Sequence, residues 1–161
     1  MLKYLWISLL VVVGDQLTKA MAEHWLQYHQ AVEVVPYFEW FLSYNTGAAF
    51  SFLAGAGGWQ RWFLSVVAIV VSVVLAVWIS RLEREEKLTA FSLAMILGGA
   101  VGNLIDRLLH GYVIDFIQVW LGTYPWPAFN IADSAIFVGA VVLIASGMFS
   151  SYREPQTDGK S

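Results

Sequence analysis

The sequence predicts a membrane all-α fold with a small β element: four transmembrane helices plus short strands in an extracytoplasmic segment. Three observations carry that prediction. Of the 161 residues, 58% are hydrophobic and only 13% are charged, where a soluble domain usually carries about 25% charged positions. Apolar runs recur at the length a bilayer demands, roughly 20 residues for a hydrocarbon layer of about 30 Å. Between the first two runs lies a β-branched and aromatic stretch with partial alternation, the pattern of short strands.

The spans fall at about 2–20, 62–80, 88–109 and 129–149. Helices are the default there, because backbone polar groups must be satisfied within the segment. Residues 1–150 read as one domain, with an extracytoplasmic insert at about 21–61 and a polar, disordered tail at 151–161. In the first span, Lys3, the apolar run that follows and Ala20-Met21-Ala22 also fit a cleavable secretory signal, although Asp15 and Lys19 sit awkwardly before such a cut. In the insert, the stretch from Val32 to Tyr44 is expected to form strands broken at Pro36. Its aromatic rings suit the headgroup zone. Gly55-Ala-Gly-Gly58 reads as a turn into the second span, and residues 122–127 as an interfacial segment.

Charge sets the orientation. Lys3, Arg81, Arg84, Lys87, Arg153 and Lys160 lie on one side of the spans, and Lys19, Arg61 and Arg107 on the other. That excess places both termini in the cytoplasm. The net charge of −3 implies no charged partner, and no basic tract interleaved with aromatics supports nucleic-acid binding. The absence of Cys excludes disulfides, thiol nucleophiles and Cys-based metal sites. His24, His29 and His110 lack metal-ligand spacing, so neither a metal nor a cofactor is expected.

On this topology the polar residues converge on one depth. Asp15 lies ~20 Å along the first helix, towards its outer end, with Lys19 one turn further out. Asn103, Asp106, Arg107 and His110 share one face of the third helix near its outer end. Asp115 follows closely, after Gly111 ends the helix. Asp133 stands just inside the fourth span, with Asn130 one turn before it. An ionisable residue inside a bilayer costs about 3 kcal/mol on insertion scales, so several at one depth read as a site.

Plainer roles stand beside that one. Asp15 and Lys19 form an (i, i+4) pair of favoured polarity that can simply stabilise a helix end. Asp106 beside Arg107 can be structural neutralisation, and Gly98 with Gly102 forms a small-xxx-small pair suited to close helix packing. Asp115 and Asp133 have apolar neighbours and no basic residue within one turn. On periodicity alone, a paired-carboxylate site, capping and gating all remain open for them.

Other hydrolytic chemistries lack their parts. Ser146 lies near the cytoplasmic end of the fourth span, far from any His, and the nucleophile-elbow pattern is missing. Lys19 has no serine singled out as a dyad partner, and the H-E-x-x-H zinc motif is absent. Two carboxylates held close can act, because only one of them ionises readily. The ionised member takes a proton from water, while the protonated member hydrogen-bonds a carbonyl. A transporter would spread its polar residues through the membrane depth, and a non-catalytic assembly factor would not need both carboxylates.

Five blocks in order resemble the signal peptidase II family of lipoprotein signal peptidases. They are Asp15-Gln-Leu-Thr-Lys19, Tyr44-Asn-Thr-Gly-Ala-Ala-Phe50, Gly98-Gly-Ala-Val-Gly-Asn-Leu-Ile-Asp-Arg107, Val113-Ile-Asp-Phe116 and Phe129-Asn-Ile-Ala-Asp-Ser134. The resemblance implies an inner-membrane aspartyl peptidase of four helices, with an uncleaved first span, that cuts prolipoproteins before a diacylglyceryl-modified Cys. It implies that Asp115 and Asp133 are the catalytic dyad. Asn45, Gly47, Asn103, Arg107 and Asn130 would line the site or hold substrate, with Asp15 and Asp106 in support. By the same resemblance, residues 31–53 would form a short extracytoplasmic β-cradle for the substrate at the membrane surface. Lipidated prolipoproteins and membrane lipid are the implied partners, and a monomer is expected because one chain contains both carboxylates.

Overall fold

The computed structural model describes residues 1–47 and 58–151. The turn expected at Gly55–Gly58, the second half of the Tyr44–Phe50 block and the tail beyond Ser151 therefore fall largely or wholly outside the described residues. A short 3-10 turn, Leu2–Tyr4, leads into α1 (Leu5–Trp25). Strands β1 (Ala31–Val35) and β2 (Phe38–Asn45) follow, then helices α2 (Trp59–Arg81) and α3 (Lys87–Leu109). After α3 come β3 (Val113–Leu121), β4 (Tyr124–Pro125) and α4 (Ile131–Ser151).

Among the described residues, three helical segments are long and apolar enough to cross a membrane: Leu2–Trp25, Trp59–Arg81 and Lys87–Leu109. The described apolar part of α4, Ile131–Gly147, is shorter. Half of the apolar window of α3 is buried, against 22% in α1 and 17% in α2, so α3 is the central helix. At one end Leu75, Ile79, Leu93 and Leu97 form an apolar core against Met1 and Tyr4. The outward faces stay apolar, with Leu10, Val66, Val70, Val73 and Phe137 exposed, as a lipid-facing belt requires.

The close approach of the helices depends on glycine. A side chain at Gly99 would run into the Ala132 carbonyl and Ile136 of α4, and one at Gly98 into Val11 and the Ser8 carbonyl of α1. At Gly102 a Cβ would lie 2.7 Å from Oδ2 of Asp15, so this position leaves room for a carboxylate. The small-residue pair thus has the packing role its spacing suggests.

The sheet extends the sequence expectation. The strands around Pro36 form as anticipated, but the sheet does not end with the insert. Its order is β1-β2-β3-β4, antiparallel throughout. The third strand comes from the segment after α3, with Asp115 opposite Ser43 and Val113 opposite Asn45. The first four residues of β3 are all buried, so the alternation that marks a half-exposed strand is absent there. Residues 122–127, read as an interfacial segment, contain the β3–β4 turn at Gly122, whose φ of +66° suits a tight hairpin. Beyond it, Phe129 bridges to Ile117 and carries the chain into α4.

The helix-packing account makes a direct prediction. Gly99→Ala should lower stability in detergent by about 1–3 kcal/mol through overpacking. Gly14→Ala, at a helical position with no neighbouring atom within 4 Å, should be neutral or stabilising by up to about 1 kcal/mol. Thermal unfolding of the two variants checks this, and equal losses would contradict the packing assignment.

Candidate active site

The site is assembled where α1, α3, β3 and the start of α4 meet. Asn130 precedes α4, and its Oδ1 accepts the Asp133 N–H at 2.9 Å, while the Asn130 N–H donates to Oδ2 of Asp133 at 3.3 Å. This reciprocal pair has the form of a capping box and fixes Asp133 in the first helical turn. The other end of the Asn130 side chain reaches β3. Its Nδ2 donates to Oδ1 of Asp115 at 2.7 Å and to the Ile114 carbonyl at 3.2 Å. One fully buried asparagine therefore links both candidate carboxylates.

Asp115 is 2% exposed and Asp133 is half-buried. Burial pushes the Asp115 carboxyl up from 3.8 to about 7, and the charge of Asp133 adds to the effect. Hydrogen bonds from Asn45 and Asn130, and the charge of Lys19, oppose the rise. Such a carboxyl retains a proton close to neutral pH. Two linked carboxyl groups with one such proton can both accept and donate, which is the requirement of acid–base hydrolysis.

The supporting residues take distinct places. Asn103 donates from Nδ2 to Oδ1 of Asp133 at 2.7 Å. Asn45, near the end of β2, hydrogen-bonds Asp115, and its Oδ1 accepts the Gly47 N–H at 2.9 Å. Gly47 has φ +92°, a conformation that glycine adopts without strain. Oδ1 of Asp15 accepts the Ala132 N–H at 2.9 Å, satisfying one of the free donors of the first turn of α4. Asp106 accepts the Ile114 N–H at 3.0 Å and the Gln16 amide at 2.8 Å.

The structure extends two sequence readings. Lys19 stands one turn beyond Asp15 and pairs with it as expected, but it does not lie at a helix end. The first helix continues through Ala20–Ala22 to Trp25, which leaves Lys19 inside it and 1% exposed. Its Nζ lies 2.7 Å from Asp15 and 2.8 Å from Asp106. Asp106 therefore has its ion pair with Lys19, and Arg107 adds an electrostatic interaction from a different direction on the helix. Arg107 is half-buried, donates to the Asn103 carbonyl at 3.3 Å and interacts electrostatically with Asp133, Asp106 and Asp115. His110, expected on the same helical face, caps α3 and is exposed against Tyr112.

Gln16 is the member of this cluster to which the sequence assigns no role, and the sequence does not by itself show that Lys19 is buried. A signal existed: the buried positions of α1 are Ser8, Asp15, Lys19 and Ala22, one helical stripe that faces the glycines of α3. Among the described residues no three His, Asp or Glu side chains converge as metal ligands, and the cations Lys19 and Arg107 offset part of the acidic cluster's charge.

Comparison with known proteins identifies the family. The sequence pattern of the family described as signal peptidase (SPase) II matches residues 7–149. The lipoprotein signal peptidase of Ectopseudomonas mendocina is 56% identical over 152 residues, covering 93% of this chain and 89% of that protein. Those of Pseudomonas aeruginosa and Alteromonas mediterranea are 55% and 47% identical, covering 93% and 98% of this chain and 89% and 87% of theirs. Two solved bacterial membrane enzyme structures superpose with TM-scores of 0.85 and 0.82 at 27% and 28% identity. They cover 99% and 92% of this chain, and 96% and 94% of their own. The matched region contains every residue of the carboxylate cluster, and the chain belongs to the signal peptidase II family of bacterial membrane peptidases.

Proposed function

We propose that this chain is an aspartyl endopeptidase that removes the signal peptide from diacylglyceryl-modified prolipoproteins, cutting N-terminal to the lipidated cysteine. The observation that carries the reading is the linkage of Asp115 and Asp133 through Asn130. Asp115, nearly sealed from solvent, holds the proton. Asp133, half-buried and oriented by Asn103 and Asn130, acts as the base.

In this mechanism a water between the carboxyl groups gives a proton to Asp133, and its oxygen attacks the scissile carbonyl. The protonated Asp115 hydrogen-bonds the carbonyl oxygen and stabilises the charge that develops there. Collapse of the tetrahedral intermediate breaks the C–N bond, and the leaving amine of the lipidated cysteine takes up a proton from the pair. Arg107 and Asn45 border the two carboxylates and are assigned to the substrate backbone.

The same proposal includes topology. With α4 as a fourth span, α1 and α3 run outward and α2 and α4 return, so the cluster lies at the extracytoplasmic face and both termini are cytoplasmic. The Lys/Arg asymmetry of the sequence supports this orientation. A lipidated substrate fits that depth. Its acyl chains are worth about 0.8 kcal/mol per buried CH₂ and hold the adjacent bond near the headgroups. A single chain supplies both carboxylates, which is consistent with a monomer.

The purified protein in lipid or detergent should cleave a diacylglyceryl-modified prolipoprotein before the modified Cys, and should leave its unlipidated twin intact when products are weighed by mass spectrometry. Equal cleavage of both would contradict the substrate assignment. Asp115→Asn and Asp133→Asn should each insert normally and lower kcat by about 10³-fold or more. Substantial residual turnover in either would remove the dyad. For pH, the raised value of Asp115 means that its proton is present below about 7 and lost above it. Cleavage should decline as pH rises through that value, and a rate that keeps climbing well above it would contradict the assignment of Asp115 as the acid.

A further inference from the structure

Three asparagines surround the two carboxylates, and each can serve as a donor only if its oxygen is committed elsewhere. For Asn45 the Gly47 N–H binds Oδ1 at 2.9 Å, and for Asn130 the Asp133 N–H does so at the same distance. Both are local backbone donors, fixed by the turn and the helix start. Asn103 is different. The donors to its Oδ1 are side chains: the ammonium of Lys19 at 3.1 Å and Nδ2 of Asn130 at 3.2 Å.

The two donors are unequal. Nδ2 of Asn130 has two protons but three acceptors, and its 2.7 Å bond to Asp115 is the shortest of them. Lys19 has three protons and three acceptors, namely Asp15, Asp106 and Asn103. As an ammonium between two carboxylates it donates in all three directions and accepts nothing. Were this cation absent, Oδ2 of Asp15 and Oδ2 of Asp106 would face the Asn103 amide with no charge between them. They would attract its NH₂ group and turn its oxygen towards Asp133.

We propose that Lys19 is a positioning residue for the reaction: by holding the oxygen of Asn103, it aims the Asn103 NH₂ at Asp133. The inference rests on the reading of Asp133 as a member of the catalytic pair. It assigns the buried cation a role in aligning the base, in addition to neutralising Asp15 and Asp106.

The test is a double-mutant cycle on cleavage of the lipidated substrate, using the full-length protein in detergent. Asn103→Ala should lower kcat by about 10- to 100-fold, the loss expected for one hydrogen bond to a charged group. Lys19→Met should lower kcat by a similar factor, with KM changed less than about 3-fold. The double variant should be no slower than Asn103→Ala alone, because both changes break one line of action. Multiplying losses, or an unchanged kcat in Lys19→Met, would overturn the proposal. If Lys19→Met alone does not fold, the cycle is run in an Asp106→Asn background, so that one charge of each sign is removed together. Asp133→Asn measured alongside separates the two levels of inference. If that variant still cleaves, the dyad reading fails. If it is inactive while the cycle is multiplicative, only the assignment of Lys19 fails.

Discussion

The fold of the site depends on one buried ammonium. Lys19 brings a positive charge to a position 1% exposed, and two carboxylates from different helices meet it at 2.7 and 2.8 Å. Those carboxylates reach further. Asp15 holds the Ala132 N–H at the start of α4, and Asp106 holds the Ile114 N–H at the start of β3. Four elements are thereby tied to one charge. Breaking a buried pair by removing one partner typically costs about 3–5 kcal/mol, because the remaining charge is stranded. The cluster is therefore a strong constraint on geometry even where its net contribution to stability is small.

Small side chains make that constraint possible. Oδ2 of Asp15 can lie between α1 and α3 only because position 102 has no Cβ, and α4 approaches α3 closely only because position 99 has none. Close helix contact delivers the capping residue Asn130 to both carboxylates, at 2.7 Å from Asp115 and 2.9 Å from the Asp133 N–H. A box that would ordinarily only begin a helix here also orients candidate catalytic groups. Packing, capping and chemistry use the same residues, and the apolar outer surface remains free to face lipid.

The helices were legible because membrane-length apolar runs are strong signals, and their ends shifted by only a few residues. The concentration of polar residues towards one end was legible for the same reason: ionisable groups stand out in apolar spans. The burial of Lys19 was not legible because an (i, i+4) pair with Asp15 reads identically on a frayed helix end and in a packed interior. The third strand was missed because Val113–Phe116 is buried throughout and shows no alternation. Its pairing of Asp115 with Ser43 joins residues far apart in sequence, and no local pattern records it. That Asp106 also meets Lys19 was likewise settled by helix packing, which adjacency to Arg107 does not reveal.

The central claim is that the linked carboxyl groups share a proton close to neutral pH, with Asp115 as its holder. The most direct measurement is infrared titration of the intact protein in lipid, following the carbonyl stretch of protonated carboxylic acid in the wild type and in Asp115→Asn. The account predicts a band that persists to about pH 7 in the wild type and is lost in the variant. A wild-type spectrum with no protonated carboxyl left above about pH 5, where ordinary aspartates have already ionised, would contradict it.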